Sequence, residues 1–464
     1  MNMFESSIDE SKLHRKFKFL RDNMIFGEHS IINQWTDGFI DRDNKIVQEF
    51  QTTFHSSFWE FYLNSVFHEA GFSIDYSKSS PDFIITSPQP FYVEAVVAEI
   101  KKGGILEENR ILKDIFKNIE PFYLRTDFEN DLNEAITRYS SSINSKKTMY
   151  ENKYSKLNYF NKCYPFVIAL SGYEQISYGS NFVFPLMALL YGRVYDNQTN
   201  TYHSQKEICK PGTGSKIPIG LFLKEEYSEV SAIIFSCTTT LGKLTSLAIS
   251  NGNLNPNGVI TIRQDDKFPT YKIHEVSKET PEYLSDGLFI FHNPLAKNPL
   301  PNDLFDKTNA VNITFDISTG GSERRANNLP LVSRLNLVSG KYILSFMYSE
   351  IFEKFNQDIA LVTGVVSDIK EYTDSFDVTF TIENQYLEKT INFSVEAFEN
   401  YCVKKGDSFQ IIFYLFKHQQ IIDMIRTNLD IDVKKLKLAF LGGDDIRLVD
   451  IVKNERGRSE NCVR

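Results

Sequence analysis

Apolar side chains between residues 42 and 69 recur at intervals of three and four: Ile46, Val47, Phe50, Phe54, Phe58, Phe61 and Tyr62, with Ser65 continuing the series. That spacing predicts one long helix over Arg42–Glu69, ended by the glycine of His68-Glu69-Ala70-Gly71. The stretch before it, to about residue 45, is charged and only weakly periodic. Two short β-type runs follow, Phe83-Ile84-Ile85-Thr86 and Phe91–Val97, separated by a Ser-Pro-Gln-Pro turn. Residues 128–157 read as another helix, with Leu132, Ala135, Ile136, Tyr139 and Ile143 as its buried stripe. Tyr164–Leu170 is an apolar run with a proline at its start, as expected of a central strand.

From about 180 to 320 the pattern is mixed, with strands expected at Ser231–Ser236, Gly258–Ile262 and Gly287–Phe291. Ser318–Asn328 is polar and glycine-containing, the best linker candidate in the chain. Beyond it, strand-like segments at 359–369, 376–383 and 387–394 precede Val403–Ile412, a compact β pattern that suggests a small barrel like an oligonucleotide-binding fold. The expected organisation is an α/β domain over 1–320, with a core at about 40–175 elaborated by 176–320, and a β-rich domain over 330–464.

Composition narrows the class. In 464 residues, 42% are apolar and 14% aromatic, enough to bury a large core, so a disordered chain is excluded. Uninterrupted apolar windows of about 20 residues are lacking, which removes a spanning helix. The N-terminal residues mix both charges without an apolar h-region and do not read as a signal peptide. Five scattered cysteines without a CxxC pair read as reduced thiols in a cytoplasm, with no zinc-site spacing among them or the eight histidines. A net charge of −9 argues weakly against a uniformly basic nucleic-acid-binding surface.

Nucleotide and hydrolase motifs fail on spacing. Gly242-Lys243 is followed by Leu244 and has Cys237 where a P-loop needs glycine; Gly340-Lys341 fails similarly, and Gly212-Thr-Gly-Ser-Lys216 reads as a turn. There is no GxSxG elbow. One constellation stands out. Asp82 lies at the start of one predicted strand, and Glu94 lies inside the next, flanked by Tyr92, Val93, Ala95 and Val96. A hairpin would set the two carboxylates side by side, and such a cluster is sustained by a hard cation such as Mg²⁺. A glutamate on a buried strand costs several kcal/mol unless paired or metal-bound. A surface-edge strand with Glu94 in water fits the same periodicity.

With Phe58-Trp-Glu60-Phe-Tyr-Leu, Pro81-Asp82 and Val93-Glu94-Ala95, and the order helix, hairpin, helix, strand, residues 40–175 resemble the PD-(D/E)XK, restriction-endonuclease-like nucleases. The resemblance implies a mixed sheet flanked by helices, Mg²⁺ (with Mn²⁺ as substitute) held by Asp82 and Glu94, and Glu60 as an accessory acid. The implied activity is phosphodiester hydrolysis, most directly a DNA endonuclease of restriction or phage-defence type, with a homodimer as a possible assembly. The alternative is a nuclease fold whose site has decayed into a binding module.

The family pattern wants Glu-x-Lys, and this chain has Glu94-Ala-Val96. Lys101, in Glu99-Ile-Lys101, fits the letters, but residues 99 and 101 share the strand face opposite 94 and 96. Lys146, three residues past Ile143 on the following helix, projects toward the core-facing side and ranks first. The same stretch is basic: Arg138, Lys146, Lys147, Lys153, Lys156 and Lys162 stand against Glu151 alone between residues 138 and 162, interleaved with tyrosines. Lys147, Lys153 and Lys156 are the candidate backbone-phosphate contacts.

Overall fold

The computed structural model describes residues 2–415 and 447–453, apart from 6–7, 43, 268–269, 338–339, 341–346, 349–350, 357–358 and 383–386. The chain divides into two compact units. The first is residues 1–266 with 272–346, and the second is 267–271 with 347–464.

The first unit is built on an eight-stranded mixed sheet whose spatial order follows the chain. Its strands are β1 (Ser73–Ile74), β2 (Phe83–Ser87), β3 (Phe91–Glu99), β4 (Phe166–Tyr173), β5 (Ala232–Ser236), β6 (Phe289–His292), β7 (Val311–Asp316) and β8 (Gly321–Arg325). β1–β2–β3 run antiparallel, β3, β4 and β5 parallel to one another, β6 antiparallel to β5, β7 parallel to β6, and β8 antiparallel to β7. Every residue of β4 and β5 is buried, so those strands read as continuous apolar runs rather than alternating ones.

Alternation in β3 assigns the two faces of the sheet. Phe91, Val93 and Ala95 join the core formed with the N-terminal helices. These helices are α1 (Arg15–Asn23), α2 (Glu28–Trp35), α3 (Ile46–Thr52) and α4 (His55–Glu69). Tyr92 and Glu94 face the other way, toward α5 (Phe128–Asn152), whose Tyr139 ring lies edge-on to Phe235 and whose Tyr150 ring packs on Phe166. On the first face, Trp59 donates its indole N–H to the Ala169 carbonyl at 3.0 Å, pinning α4 against the centre of the sheet. Burying each of the large side chains along α4 contributes roughly 1.5–3 kcal/mol.

The single helix expected over residues 42–69 is two. The Thr52 and Thr53 hydroxyls bond back to the carbonyls of Gln48 and Glu49, and Phe54 takes φ +58° before α4 begins. Phe54 nevertheless stays in the apolar series, its ring 5.2 Å from both Phe50 and Phe58, so the break leaves no mark in the spacing. The weakly periodic N-terminus forms α1 and α2, which bury Phe17, Leu20, Ile31, Ile32 and Trp35.

The linker expected at 318–328 is instead a hairpin: Gly320 turns at φ +67° and residues 321–325 pair with β7. The first unit continues past it, because residues 331–337 pair with 258–264 and Arg334 is buried in an ion network with Glu282. The boundary therefore falls after residue 346, not between 320 and 330. In the second unit, β9 (Ile359–Glu371), β10 (Ser375–Ile382), β11 (Leu387–Ser394), β12 (Ser408–Tyr414) and β13 (Arg447–Lys453) form an antiparallel sheet in the order β11-β10-β9-β12-β13. A short helix, α6 (Val395–Asn400), joins β11 to β12, and a bulge bends β9 between Val366 and Asp368. Among the described residues no ladder joins β11 to β13, so the described strands form an open antiparallel sheet; 416–446 and 454–464, which the expected small barrel also spans, lie outside the described residues.

Candidate active site

Four elements bring charged side chains to one place. The β2–β3 register sets Phe83 opposite Val93, which places Asp82 beside Glu94 one step on. Asp82 is fixed by the Ala95 backbone N–H, which donates to its Oδ2 at 2.7 Å. Glu94, 3% exposed, accepts a hydrogen bond from the Lys146 ammonium to Oε1 at 2.7 Å. Its Oε2 is buried without a hydrogen-bond partner among the described residues. Glu60 reaches the same charges from α4.

The electrostatics show a cluster short of positive charge. Burial, and then the neighbouring Glu94, push the Asp82 carboxyl up to about 7 although Lys146, the Ala95 N–H and Arg42 pull against it. Burial, and then Asp82, push Glu60 up to about 8, with Arg42 opposing. Both side chains remain partly open to solvent, so an ion from water can reach them. Three carboxyls face the Lys146 ammonium and, more weakly, the Arg42 guanidinium, and two of them hold protons near neutrality.

Two further members of the cluster were not among the expected site residues. Arg42, just ahead of α3, donates to the carbonyls of Lys78 at 2.7 Å and Pro81 at 3.4 Å, at the base of the loop that delivers Asp82. Tyr154, in the turn after α5, is buried beside Glu94. Burial and then the Glu94 charge push its hydroxyl far above the ordinary tyrosine range, so it stays protonated. Its place one helical turn beyond the buried Tyr150 is the signal that marks it as inward-facing.

The remaining expected residues divide. Lys153 donates to the Ser80 hydroxyl at 3.3 Å, on the Asp82 loop. Lys147 pairs with Glu151 at 2.6 Å and lies over the Tyr227 ring, away from that loop, while Lys156 is exposed. Lys101, the alternative lysine, pairs with Glu134 of α5 at 3.1 Å, outside the cluster.

A second set, His14, His55 and Glu107, brings three potential metal ligands within 4.8 Å of one another. It is already balanced. Lys16 Nζ lies 2.5 Å from Glu107, His55 Nε2 lies 2.9 Å from the same carboxylate, and His14 Nδ1 accepts the Lys16 backbone N–H. Burial lowers both imidazoles, His55 to about 4, so both are neutral at pH 7. Accepting that N–H puts the His14 proton on Nε2 and closes that nitrogen to a metal.

Among the described residues no helix is long and apolar enough to cross a membrane. No protein-family description, curated protein or solved structure matches the chain.

Proposed function

We propose that the first unit is a restriction-endonuclease-like nuclease that hydrolyses phosphodiester bonds with a divalent cation, DNA being the expected substrate. The observation that carries this reading is the Glu60–Asp82–Glu94–Lys146 cluster, in which burial, and then neighbouring carboxylates, raise Glu60 and Asp82 to about 8 and 7. An all-oxygen donor set with an orphaned buried carboxylate oxygen fits Mg²⁺ or Mn²⁺, with Asp82 and Glu94 as the residues that would hold it. When bound, such an ion supplies positive charge for the phosphate oxygens and acidifies water. Glu60, which would give up its proton once a cation is bound, would then be free to take one from the attacking water. Lys146, oriented by Glu94, donates to the phosphate oxygens as their charge grows.

A second reading, a binding module with a decayed site, has one observation in its favour: Val96 stands where the family carries its lysine. Cleavage of single- and double-stranded DNA and RNA with Mg²⁺ or Mn²⁺ separates the two. The nuclease reading expects activity in wild type and a loss of about 100-fold or more in Asp82→Ala and Glu94→Ala. Activity that survives both substitutions overturns the site, and a wild type inactive on every substrate leaves the binding module.

A further inference from the structure

Resting on the nuclease reading, we propose that the loop 77–81 and the side chains gathered on it form a rim that binds single-stranded nucleic acid beside the carboxylate cluster. Two segments far apart in sequence, around Arg42 and over residues 153–159, converge on this one loop. Arg42 holds the Lys78 and Pro81 carbonyls, Lys153 donates to the Ser80 hydroxyl, and the Tyr159 hydroxyl donates to the Ser80 carbonyl at 2.7 Å. Lys78 Nζ lies 5.4 Å from the centre of the Tyr159 ring. The loop ends at Asp82, so whatever binds it lies next to the cluster.

The charge state of the rim points to an anion. Lys101, Lys117, Lys147 and Lys297 each have a carboxylate within ion-pair distance. Among the described residues Arg42, Lys78 and Lys153 have none; Asp75, the acid that feels the Lys78 charge, accepts the Ser77 backbone N–H instead. Arg42 and Lys153 spend hydrogen bonds on neutral loop oxygens, the Lys78 ammonium faces the Tyr159 ring, and the two lysines are exposed. Cations spaced along a loop match successive backbone phosphates better than one compact anion.

The aromatic ring decides the strand state. Tyr159 is 38% exposed, while its neighbour Phe160 is buried against Tyr92. An exposed ring flanked by cations is a stacking platform for an unpaired base, which a duplex keeps inside its own stack. The rim therefore selects a single strand, or an unpaired segment next to the bond to be cut.

The test is fluorescence anisotropy of a labelled oligothymidylate of about 15 nucleotides and of a duplex of equal length, in EDTA, across a KCl series. Wild type should bind the single strand more tightly. Lys78→Ala with Lys153→Ala should lower the salt slope on the single strand by about 1.4, at roughly 0.7 for each phosphate no longer neutralised. Tyr159→Ala should weaken binding about tenfold, whereas Tyr159→Phe, which keeps the ring and removes only the bond to Ser80, should stay within about twofold. Equal or tighter duplex binding overturns the single-strand assignment. An unchanged salt slope overturns the rim, and Tyr159→Phe as damaging as Tyr159→Ala reduces the tyrosine to a loop anchor. If Asp82-dependent cleavage persists while the rim variants bind as wild type does, the rim fails and the nuclease reading stands. If neither strand form is bound or cleaved, both fail.

Discussion

Lowering the pH should weaken divalent-ion binding steeply, because the cluster must give up protons to accept the ion. Asp82, raised to about 7, has to be ionised to serve as a ligand, and Glu60, raised to about 8, loses its proton as the added positive charge stabilises its anion. For one group of pKa about 7, the apparent affinity falls about tenfold between pH 8 and pH 6; a second group near 8 contributes a further factor of about 50. The expected fall is therefore about tenfold if Asp82 alone is linked, and several hundredfold if Glu60 follows. Calorimetric titration with MnCl₂ in two buffers of different ionisation heat reads both the affinity and the protons released. Between one and two protons should leave at pH 6. Glu60→Gln should bring the release to one at most, and Asp82→Asn should abolish tight binding. Affinity constant within about twofold across this range, with no proton release, would refute the linkage; unchanged binding by Asp82→Asn would remove Asp82 as a ligand.

Without metal, the raised carboxyls make the folded protein hold protons that the unfolded chain has lost, so their contribution to stability falls as pH rises from about 4 through about 8. A shift of about three units at Asp82 corresponds to about 4 kcal/mol, roughly halved for its partial access to solvent, so Asp82→Asn in EDTA should gain about 2 kcal/mol in urea denaturation at pH 8 and little at pH 4. Glu174, buried with Asn181 and Tyr139 and pushed up to about 7 chiefly by burial, should behave alike: Glu174→Gln should raise the melting temperature above pH 7 and leave it unchanged near pH 4. Lys243 is fully buried between Glu282 and the carbonyls of Tyr283 and Asp286, so Lys243→Met should cost about 3–5 kcal/mol; a loss below about 1 kcal/mol would refute its structural role. Lys146→Met should lower the cleavage rate about 100-fold or more, and adding Val96→Lys on the same strand face as Glu94 should recover part of it; no recovery would mean that the helix position itself is required.

Much of the first unit was legible because its strands and helices carry distinct periods. β2, β3, α5 and β4 lie within a few residues of their expected bounds, and the hairpin pairing follows from the turn between Phe83–Thr86 and Phe91–Val97. Where the reading failed, the physical cause can be named. The helix break at Thr53–Phe54 is made by backbone hydrogen bonding while Phe54 keeps its apolar place, and an apolar period records only side chains. The polar run 318–328 became a hairpin because an edge strand exposed along its whole length has no buried face to alternate against. Lys147 had a visible partner in Glu151, four residues on in the same helix. Arg42 had no visible role, because its contacts at Lys78 and Pro81 exist only once the N-terminal helices dock on the sheet.

The lysine shows what a sequence specifies about such a site. Burying Glu94 on a strand between Val93 and Ala95 creates a need for a cation on the α5 side of the sheet, and that need is readable from the strand alone. The strand does not say which residue answers it. Position 96 shares the correct face but is valine, and Lys101 lies beyond the strand, where it finds Glu134 instead. The cation is supplied by α5, whose Ile136, Tyr139 and Ile143 seat it on the same face of the sheet and carry Lys146 one turn further, to within 2.7 Å of Glu94. A motif counts letters along one strand, whereas the carboxylate responds to charge at a distance. A lysine from any element that reaches Oε1 therefore satisfies the chemistry, and the helix stripe that positions it is as much a part of the site as the carboxylates.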